Sequence, residues 1–253
     1  MSRLLRHDRR QLAQYPSLVG IDEAGRGCLA GPVSAGAVWL DHTFFTSRAR
    51  LALARAANDS KKMSPAAREE MYLALCEWES TGALRSAQAT ASVLEIGAYN
   101  ILGATRLAMH RCLQMLAKTT VDACKPCPFL AAASGGDTPL FHIDETLWPR
   151  VLVDGRPLKP FAWQHTAIVG GDGKSLAIAL ASILAKVRRD KLMAEMDKLY
   201  PQYGFAIHKG YATPMHIEAI RKHGACPEHR PLFLRAILAS VSGGIGGHPE
   251  FAF

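Results

Sequence analysis

The sequence predicts an α/β fold, in which helices cover a sheet, from three observations. Short apolar and β-branched runs alternate with longer segments whose apolar side chains recur at helical spacing. Two of the short runs end in carboxylates followed by glycine, as buried strands do when they deliver acids to the carboxyl edge of a sheet. Hydrophobic residues make up 49% of the chain and charged residues 21%, which is ordinary for a globular protein. We therefore expect one main domain over residues 17–240.

The first predicted strand lies within Ser17–Val33 and runs directly into two adjacent carboxylates, Asp22 and Glu23. Burial of Asp22 on such a strand is costly unless a cation compensates its charge, and a divalent metal ion is the natural cation. Adjacent side chains on an ideal strand point to opposite faces. The two acids therefore reach one metal ion only if the strand twists or if Glu23 contributes its backbone carbonyl. A second strand over 32–40 is expected to form a hairpin with the first.

A glycine-rich loop follows the two acids, with Gly25 and Gly27 on either side of Arg26. The missing side chains let the backbone approach a polar ligand, while the guanidinium points at an anion or at a partner of its own. The amides and carbonyls of such a loop can also hydrogen-bond a 2′-hydroxyl, which distinguishes RNA from DNA. The loop is thus suited to contact a sugar-phosphate backbone.

The next elements are a helix, a strand and a long helix. Serine followed by proline predicts a helix over 64–78, and a third strand is expected over 83–89. Ser92 and Glu95 have the spacing of a capping box, so a long core helix begins there. Before the first of these helices, Lys61 lies in a lysine-containing run that is either a solvated loop or a phosphate contact.

Two further carboxylates come at the ends of predicted strands. The run Arg150–Gly155 delivers Asp154, and a strand over 164–169 is closed by a glycine-rich turn that carries Asp172. The two acids are 18 residues apart, which suits a strand, a turn and a neighbouring strand. Two or three strands that carry acids to one edge form the kind of site that binds two magnesium or manganese ions.

The C-terminal third is predicted to be helical with one aromatic and basic interruption. A helix over 175–200 is stopped by proline, and another begins at Thr213 and ends at Gly224. Between them, 203–213 contains Lys209 and Tyr211 beside glycine. This composition suits stacking on a sugar or base next to phosphates.

Three segments do not fit the regular pattern. Residues 1–16 are basic without evident periodicity and are predicted to be a loosely held arm, 118–148 are predicted to be an insertion loop, and 241–253 are predicted to be disordered.

The net charge of +8 favours a polyanionic partner such as nucleic acid. No apolar run has the length of a membrane span and no signal peptide is evident, so we expect a cytoplasmic protein without a membrane partner. The six cysteines are expected to be reduced. An alternative for four residues is a zinc site, formed by Cys124, Cys127, Cys226 and His229.

The motif Gly20-Ile-Asp-Glu-Ala-Gly-Arg-Gly27, together with Leu29-Ala-Gly-Pro-Val33, resembles the signature of bacterial ribonuclease HII, a type 2 ribonuclease H. The resemblance extends to the run 59–62, to 92–113, and to Asp154 and Asp172. Helix residues that also match are Ser182, Lys186 and Asp190. The sequence departs from the family pattern at four positions, Cys28, Arg156, Gly171 and Ala212, none of which removes a carboxylate.

The resemblance implies a ribonuclease H-like fold: a central mixed sheet of five strands flanked by helices, followed by a helical C-terminal region. It implies an endonuclease that hydrolyses the RNA strand of RNA/DNA hybrids. It also implies nicking of duplex DNA 5′ to a single embedded ribonucleotide, which leaves 5′-phosphate and 3′-hydroxyl ends. Two divalent ions, Mn²⁺ or Mg²⁺, would be the cofactors, and the protein is expected to be a monomer.

The site residues divide into two groups. The predicted catalytic and metal-binding acids are Asp22, Glu23, Asp154 and Asp172. The predicted substrate-binding residues are Gly25, Arg26, Gly27, Lys61, Lys186, Lys209 and Tyr211. Tyr211 is expected to pack against the sugar that follows the ribonucleotide, and its alternative is a core aromatic.

Three other functions compete with this prediction. A catalytically silent nucleic-acid-binding module would keep the fold but has no need of four acids. A type III ribonuclease H carries an additional N-terminal domain, whereas about 16 residues precede the first strand here. Histidine acid-base chemistry would need a histidine motif comparable to the acids, so His165, His208 and His216 are expected to be structural or to face phosphate.

Overall fold

The computed structural model describes residues 2–57, 60, 62–121 and 149–235. Its centre is a five-stranded sheet in the order β3-β2-β1-β4-β5. The strands are β1 (Ser17–Ala24), β2 (Val33–Asp41), β3 (Arg85–Ala91), β4 (Arg150–Asp154) and β5 (Thr166–Ile168). The helices are α1 (Arg3–Leu12), α2 (Arg48–Ala54), α3 (Pro65–Ser80), α4 (Val93–Val121), α5 (Leu176–Leu199), α6 (Phe205–His208) and α7 (Pro214–His223).

The sheet is mixed, as predicted. Strand β1 pairs antiparallel with β2 and β2 antiparallel with β3, while β4 is parallel to β1 and β5 is parallel to β4. The carboxyl ends of β1, β4 and β5 therefore meet at one edge, where the predicted acids lie.

Helices cover both faces of the sheet. Helix α4 packs on one face, against Val19 and Ile21 of β1, and α5 packs on the other with α1 and α3 behind it. Two glycines explain how closely α5 approaches. A Cβ atom at Gly20 would lie 2.1 Å from the backbone carbon of Ala177, and one at Gly36 would lie 2.5 Å from the carbonyl oxygen of Ala181. The α5 backbone thus rests directly on β1 and β2.

Several predicted boundaries are confirmed by side-chain caps. The Ser64 hydroxyl accepts from the Ala67 N–H at the start of α3. Ser92 and Glu95 form the predicted capping box, because each side chain accepts from the other residue's backbone N–H. The Ser175 and Thr213 side chains accept from the N–H groups of Ile178 and His216 and cap the starts of α5 and α7.

The prediction of a loosely held arm over 1–16 is wrong, because most of this segment is helix α1, packed on the core. Leu5 and Leu12 are buried, and so is Asp8. The Asp8 carboxylate accepts from the Ala177 N–H at 2.8 Å and from the Ser175 hydroxyl at 3.2 Å, so it caps the start of α5. Four arginines on the exposed side of α1 obscure its apolar spacing in the sequence.

Helix α4 also differs from the prediction. It continues to Val121, so the predicted insertion loop over 118–148 begins as helix, and residues 122–148 lie outside the described residues. Asn100 has φ 55° and ψ 175°, which breaks α4 into two helices. Its side chain accepts from the N–H groups of Leu102 and Gly103 and caps the second helix. Helix α2 was not predicted, and the predicted tail over 241–253 lies outside the described residues.

None of the helices in the described part of the chain is long and apolar enough to cross a membrane.

Candidate active site

Three of the predicted acids lie together at the carboxyl edge of β1 and β4. Ile21 of β1 is in register with Val153 of β4, so Asp22 and Asp154, the next residue on each strand, are neighbours. Glu23 follows Asp22 near the end of β1. Because β1 and β4 are parallel and adjacent, the sheet itself holds the carboxylates of Asp22 and Asp154 side by side.

The position of Asp22 disfavours its ionised form. Its side chain is almost inaccessible, with 5% of the residue exposed. Burial raises the pKa of Asp22 well above its usual value, and the charges of Glu23 and Asp154 raise it further. Hydrogen bonds from the Ser182 hydroxyl and from the Glu23 N–H, 2.7 Å from Asp22 Oδ1, act in the opposite direction. A carboxylate in this position favours a bound cation.

Asp154 is tied to the turn that contains Asp172. Its Oδ1 atom accepts from the Gly171 N–H at 2.6 Å. A Cβ atom at Gly171 would lie 2.6 Å from the end of Ile178 and 3.2 Å from Asp154 Oδ1, so glycine at this departure from the family pattern allows tight packing. Asp172 follows in the same 3₁₀ turn, Gly171–Gly173.

The chemistry of these donors fits a hard divalent cation, since carboxylate oxygens are the ligands that Mg²⁺ and Mn²⁺ prefer. Within residues 2–57, 60, 62–121 and 149–235, no three histidine, cysteine or acidic side chains are already arranged as metal ligands. Asp22 nevertheless experiences the charges of both neighbouring acids, which is the electrostatic condition that a cation relieves.

The predicted glycine-rich loop lines a pocket of about 160 Å³ beside the acids. Glu23, Arg26, Ser60, Ser182, Lys186 and Tyr211 contribute to its walls. Arg26 donates to Glu23 Oε1 at 2.9 Å, so its guanidinium pairs with an acid of the protein, which was one of the two predicted alternatives. Glu23 is therefore oriented by a cation from its own loop.

Two buried arginines, which were not predicted, hold this loop in place. Arg230 donates to the carbonyl oxygens of Gly25 (2.8 Å), Arg26 (3.0 Å) and Gly31 (2.9 Å). Burial lowers the pKa of Arg230 to about 10, so the side chain stays charged at neutral pH. Arg189 donates to the carbonyl oxygens of Ala30 (3.1 Å), Pro32 (3.1 Å) and Lys209 (2.8 Å). Arg189 lies on the same face of α5 as Ser182 and Lys186, and this helical spacing could have identified it as a residue of the site. No pattern in the sequence marks Arg230.

Tyr211 lies at the pocket with 39% of its surface exposed, so it is not a core aromatic. Lys186 Nζ and Arg189 Cζ are each 5.9 Å from its ring centroid. The side chain of Tyr211 also hydrogen-bonds Cys28, which is buried at the position where the family pattern has proline. Burial raises the pKa of the Cys28 thiol, which therefore acts as a packed neutral group.

The predicted lysines fall in different places. Lys186 lines the pocket and donates to Asp190 at 2.6 Å. Lys209 lies instead in an adjacent groove of about 240 Å³, between α3 and α5, with Arg68 and Lys191. Its backbone is left-handed, with φ 54°, and its carbonyl is held by Arg189. Lys61 lies outside the described residues.

His165, His208 and His216, which were expected to be structural or to face phosphate, each hydrogen-bond backbone groups of the protein. His165 accepts from the Leu158 N–H and contacts the Trp163 carbonyl, while His208 and His216 are buried and bonded to backbone groups. In the alternative zinc site, Cys226 Sγ lies 3.1 Å from His229 Nδ1, and both ring nitrogens of His229 have hydrogen-bond partners within the protein. The other two members, Cys124 and Cys127, lie outside the described residues.

Sequence comparisons with known proteins agree on one family. The family model described as Ribonuclease HII matches residues 19–139 and 149–237. A Ribonuclease HII of Chloroflexus aurantiacus is 40% identical over 238 residues, covering 94% of this chain and 95% of its own. One of Thiobacillus denitrificans is 42% identical over 227 residues, covering 89% and 92%.

Solved structures share the fold at lower identity. The PCNA:RNase HII complex from Archaeoglobus fulgidus has a TM-score of 0.56 and 21% identity, and the match covers 88% of this chain and 95% of that chain. A Bst-RNase HIII in complex with Mn²⁺ has a TM-score of 0.56 and 16% identity, covering 93% and 73%.

Proposed function

Because the chain belongs to the ribonuclease HII family, whose members hydrolyse the RNA strand of RNA/DNA hybrids, we propose that it also nicks duplex DNA 5′ to a single embedded ribonucleotide. The products would carry 5′-phosphate and 3′-hydroxyl ends. The observation that carries this proposal is the pocket that Glu23 lines together with the Gly25–Gly27 loop and Tyr211. Glu23 follows Asp22 on β1, and Asp22 in turn lies beside Asp154 at the end of β4.

The proposed cofactors are two divalent ions, Mg²⁺ or Mn²⁺, in keeping with a ribonuclease H family that uses divalent metals. Asp22, Glu23, Asp154 and Asp172 would hold them. When bound, such ions position a water molecule and stabilise the leaving oxygen of a phosphodiester. The burial of Asp22 beside Glu23 and Asp154, whose charges raise its pKa, supports this assignment because a bound cation would stabilise the ionised form.

The chain's own residues would select the ribonucleotide. Arg230 donates to the carbonyls of Gly25 and Arg26 and so fixes the backbone of the loop, whose amide N–H groups would donate to a 2′-hydroxyl. Tyr211, partly exposed on the other side of the pocket, would pack against the next sugar and crowd an added hydroxyl there. Together these contacts favour a ribonucleotide followed by a deoxyribonucleotide.

Basic side chains beside the pocket would bind the backbone of the duplex. Lys186 lies in the pocket, and Lys209 lies in the adjacent groove with Arg68 and Lys191. Phosphate contacts of this kind position the duplex and make binding depend on salt concentration. Lys61 is included in this proposal from its sequence position.

The test uses the purified protein and three end-labelled duplexes: a continuous RNA/DNA hybrid, a DNA duplex with one ribonucleotide, and an all-DNA duplex. We expect cleavage of the first two only, only with Mg²⁺ or Mn²⁺, and with the single-ribonucleotide duplex nicked on the 5′ side. An intact single-ribonucleotide duplex would overturn the proposed selectivity. Binding of the hybrid without any cleavage would instead support a catalytically silent binding module.

A further inference from the structure

The short segment from Cys226 to Arg230 is bonded directly to one side of the pocket and through His216 to the other. Its backbone pairs with the chain just after the glycine-rich loop, since the Gly31 N–H donates to the Glu228 carbonyl and the Arg230 N–H donates to the Leu29 carbonyl, both at 2.8 Å. The Arg230 guanidinium holds the carbonyls of the loop itself. One side of the pocket is therefore fixed directly to this segment.

The other side is reached through two buried histidines whose hydrogen-bond partners determine their tautomers. The Cys226 N–H donates to His229 Nδ1 at 3.0 Å, so the proton of this neutral ring is on Nε2. His229 Nε2 then donates to His216 Nε2 at 3.1 Å, which leaves the His216 proton on Nδ1. His216 Nδ1 donates in turn to the Tyr211 carbonyl at 2.9 Å. The chain of bonds runs without a gap from Cys226 to Tyr211.

Burial keeps this chain neutral. His216 is fully buried and His229 is 2% exposed. Burial, more than any neighbouring charge, lowers the pKa of each ring to about 4. The His208 ring stacks on His216 with centroids 4.2 Å apart, and Tyr203 and Phe205 pack against His229. Protonation of His216 would place two donors face to face at the 3.1 Å contact, and protonation of His229 would do the same at the 3.0 Å contact with the Cys226 N–H, so the neutral chain is the arrangement that these distances allow.

We infer that His216 and His229 are positioning residues that, with Arg230, set the position of Tyr211 relative to the Gly25–Gly27 loop and so set the selectivity for a ribonucleotide followed by a deoxyribonucleotide. This inference rests on the proposed function. The loop and Tyr211 come from distant parts of the chain, and the segment 226–230 bonds to one directly and to the other through His216. A small shift of Tyr211 would change how it packs on a sugar without moving the acids on β1 and β4.

The central experiment measures a ratio in each variant: kcat/KM on the single-ribonucleotide duplex divided by kcat/KM on the continuous hybrid, well below the melting temperature. His216→Phe keeps a ring but cannot donate to Tyr211, and we expect the ratio to fall about tenfold or more. His216→Asn can donate from a position near that of Nδ1 and should keep the ratio within about threefold of wild type. His165→Phe, a histidine outside this chain of bonds, is the matched control and should leave the ratio unchanged.

A double variant tests whether His216 acts through Tyr211. If it does, His216→Phe combined with Tyr211→Ala should have the same ratio as Tyr211→Ala alone. Additive losses, or equal losses on both substrates together with a lowered melting temperature, would show that His216 only stabilises the fold and would overturn the inference.

Hydrogen exchange supplies a readout that does not depend on cleavage. His216→Phe should raise exchange at the Tyr211 and Thr213 amides, which are bonded within this turn, and leave the amides of β1 and β4 unchanged. Unchanged exchange in this turn would overturn the inference even if the enzyme is active. Conversely, the wild-type protein could fail to cleave the single-ribonucleotide duplex while hydrogen exchange changes as expected. That result would count against the proposed function but would still support the positioning of Tyr211 by His216.

Discussion

Asp22→Asn should make the metal-free protein more stable while it abolishes cleavage. Asp22 is buried beside two other acids, and in the absence of metal its burial and their charges disfavour its ionised form, which raises its pKa well above the usual value. Asparagine keeps the short hydrogen bond from the Glu23 N–H and removes the charge. Relief of a poorly compensated buried charge is worth about 1–3 kcal/mol. At roughly 2–4 °C per kcal/mol for a domain of this size, the melting temperature should rise by about 2–12 °C.

Metal should reverse the order of stability. A ligand that binds only the folded state stabilises it by about 2.7 kcal/mol at one hundred times its dissociation constant. Wild-type protein should gain this stabilisation from excess Mn²⁺ or Mg²⁺, and the Asp22→Asn variant should gain much less because a ligand is missing. The two proteins should therefore change rank between chelator and metal.

The assay is thermal unfolding at neutral pH, in chelator and in excess Mn²⁺, followed by circular dichroism. Glu218→Gln removes an exposed carboxylate from α7 and is the matched control, which should follow wild type in both conditions. If Asp22→Asn melts below wild type in chelator, the buried charge is not a source of instability. If metal stabilises both proteins equally, Asp22 is not a metal ligand.

Three other predictions follow from the same contacts. Asp154→Asn should abolish cleavage, because the charge is lost, and leave hybrid affinity nearly unchanged, because asparagine can still accept from the Gly171 N–H. Activity within about tenfold of wild type would exclude Asp154 as a metal ligand. Tyr211→Ala should lose about tenfold more activity on the single-ribonucleotide duplex than on the continuous hybrid, measured as kcat/KM, and equal losses would contradict its role in selectivity. The lowered pKa values of His216 and His229, about 4 against an ordinary 6.5, mean that the unfolded chain binds more protons than the native protein between these values. The free energy of unfolding should therefore decrease as the pH falls from 6.5 to 4, and a weaker dependence is expected for His216→Phe in denaturant titrations at each pH; an unchanged dependence would show that His216 titrates normally.

The parts of the site that were predicted from the sequence are local in the chain. Asp22, Glu23 and the Gly25–Gly27 loop occur in one continuous motif, and Asp154 ends a short apolar strand. Strand ends at the same edge of a parallel pair converge by geometry alone, so placing the acids together needs only the correct strand order. The family resemblance supplied that order, since periodicity by itself supports no more than an α/β fold.

The parts that were missed depend on contacts between distant residues. Arg230 bonds to carbonyls about 200 positions earlier, and no local pattern marks an arginine that will be buried by such bonds. Helix α1 was missed because its arginines obscure the spacing of two buried leucines. Its packing also depends on Asp8, which accepts a hydrogen bond from Ala177, a residue distant in the sequence. The break at Asn100 was also missed. There the side chain accepts from the Leu102 N–H and caps the second helix.

Helix α5 connects the stability of the fold to the geometry of the site. Its backbone lies against Gly20 and Gly36, so its height above the sheet is set by backbone contact rather than by flexible side chains. Three of its side chains reach the site from that position. Ser182 hydrogen-bonds Asp22, Lys186 lines the pocket, and Arg189 donates to carbonyls of the loop after β1. Because backbone atoms cannot yield as side chains do, a displacement of α5 would move all three contacts together. The same packing that buries the core thus holds the acids, the loop and the basic residues in one arrangement.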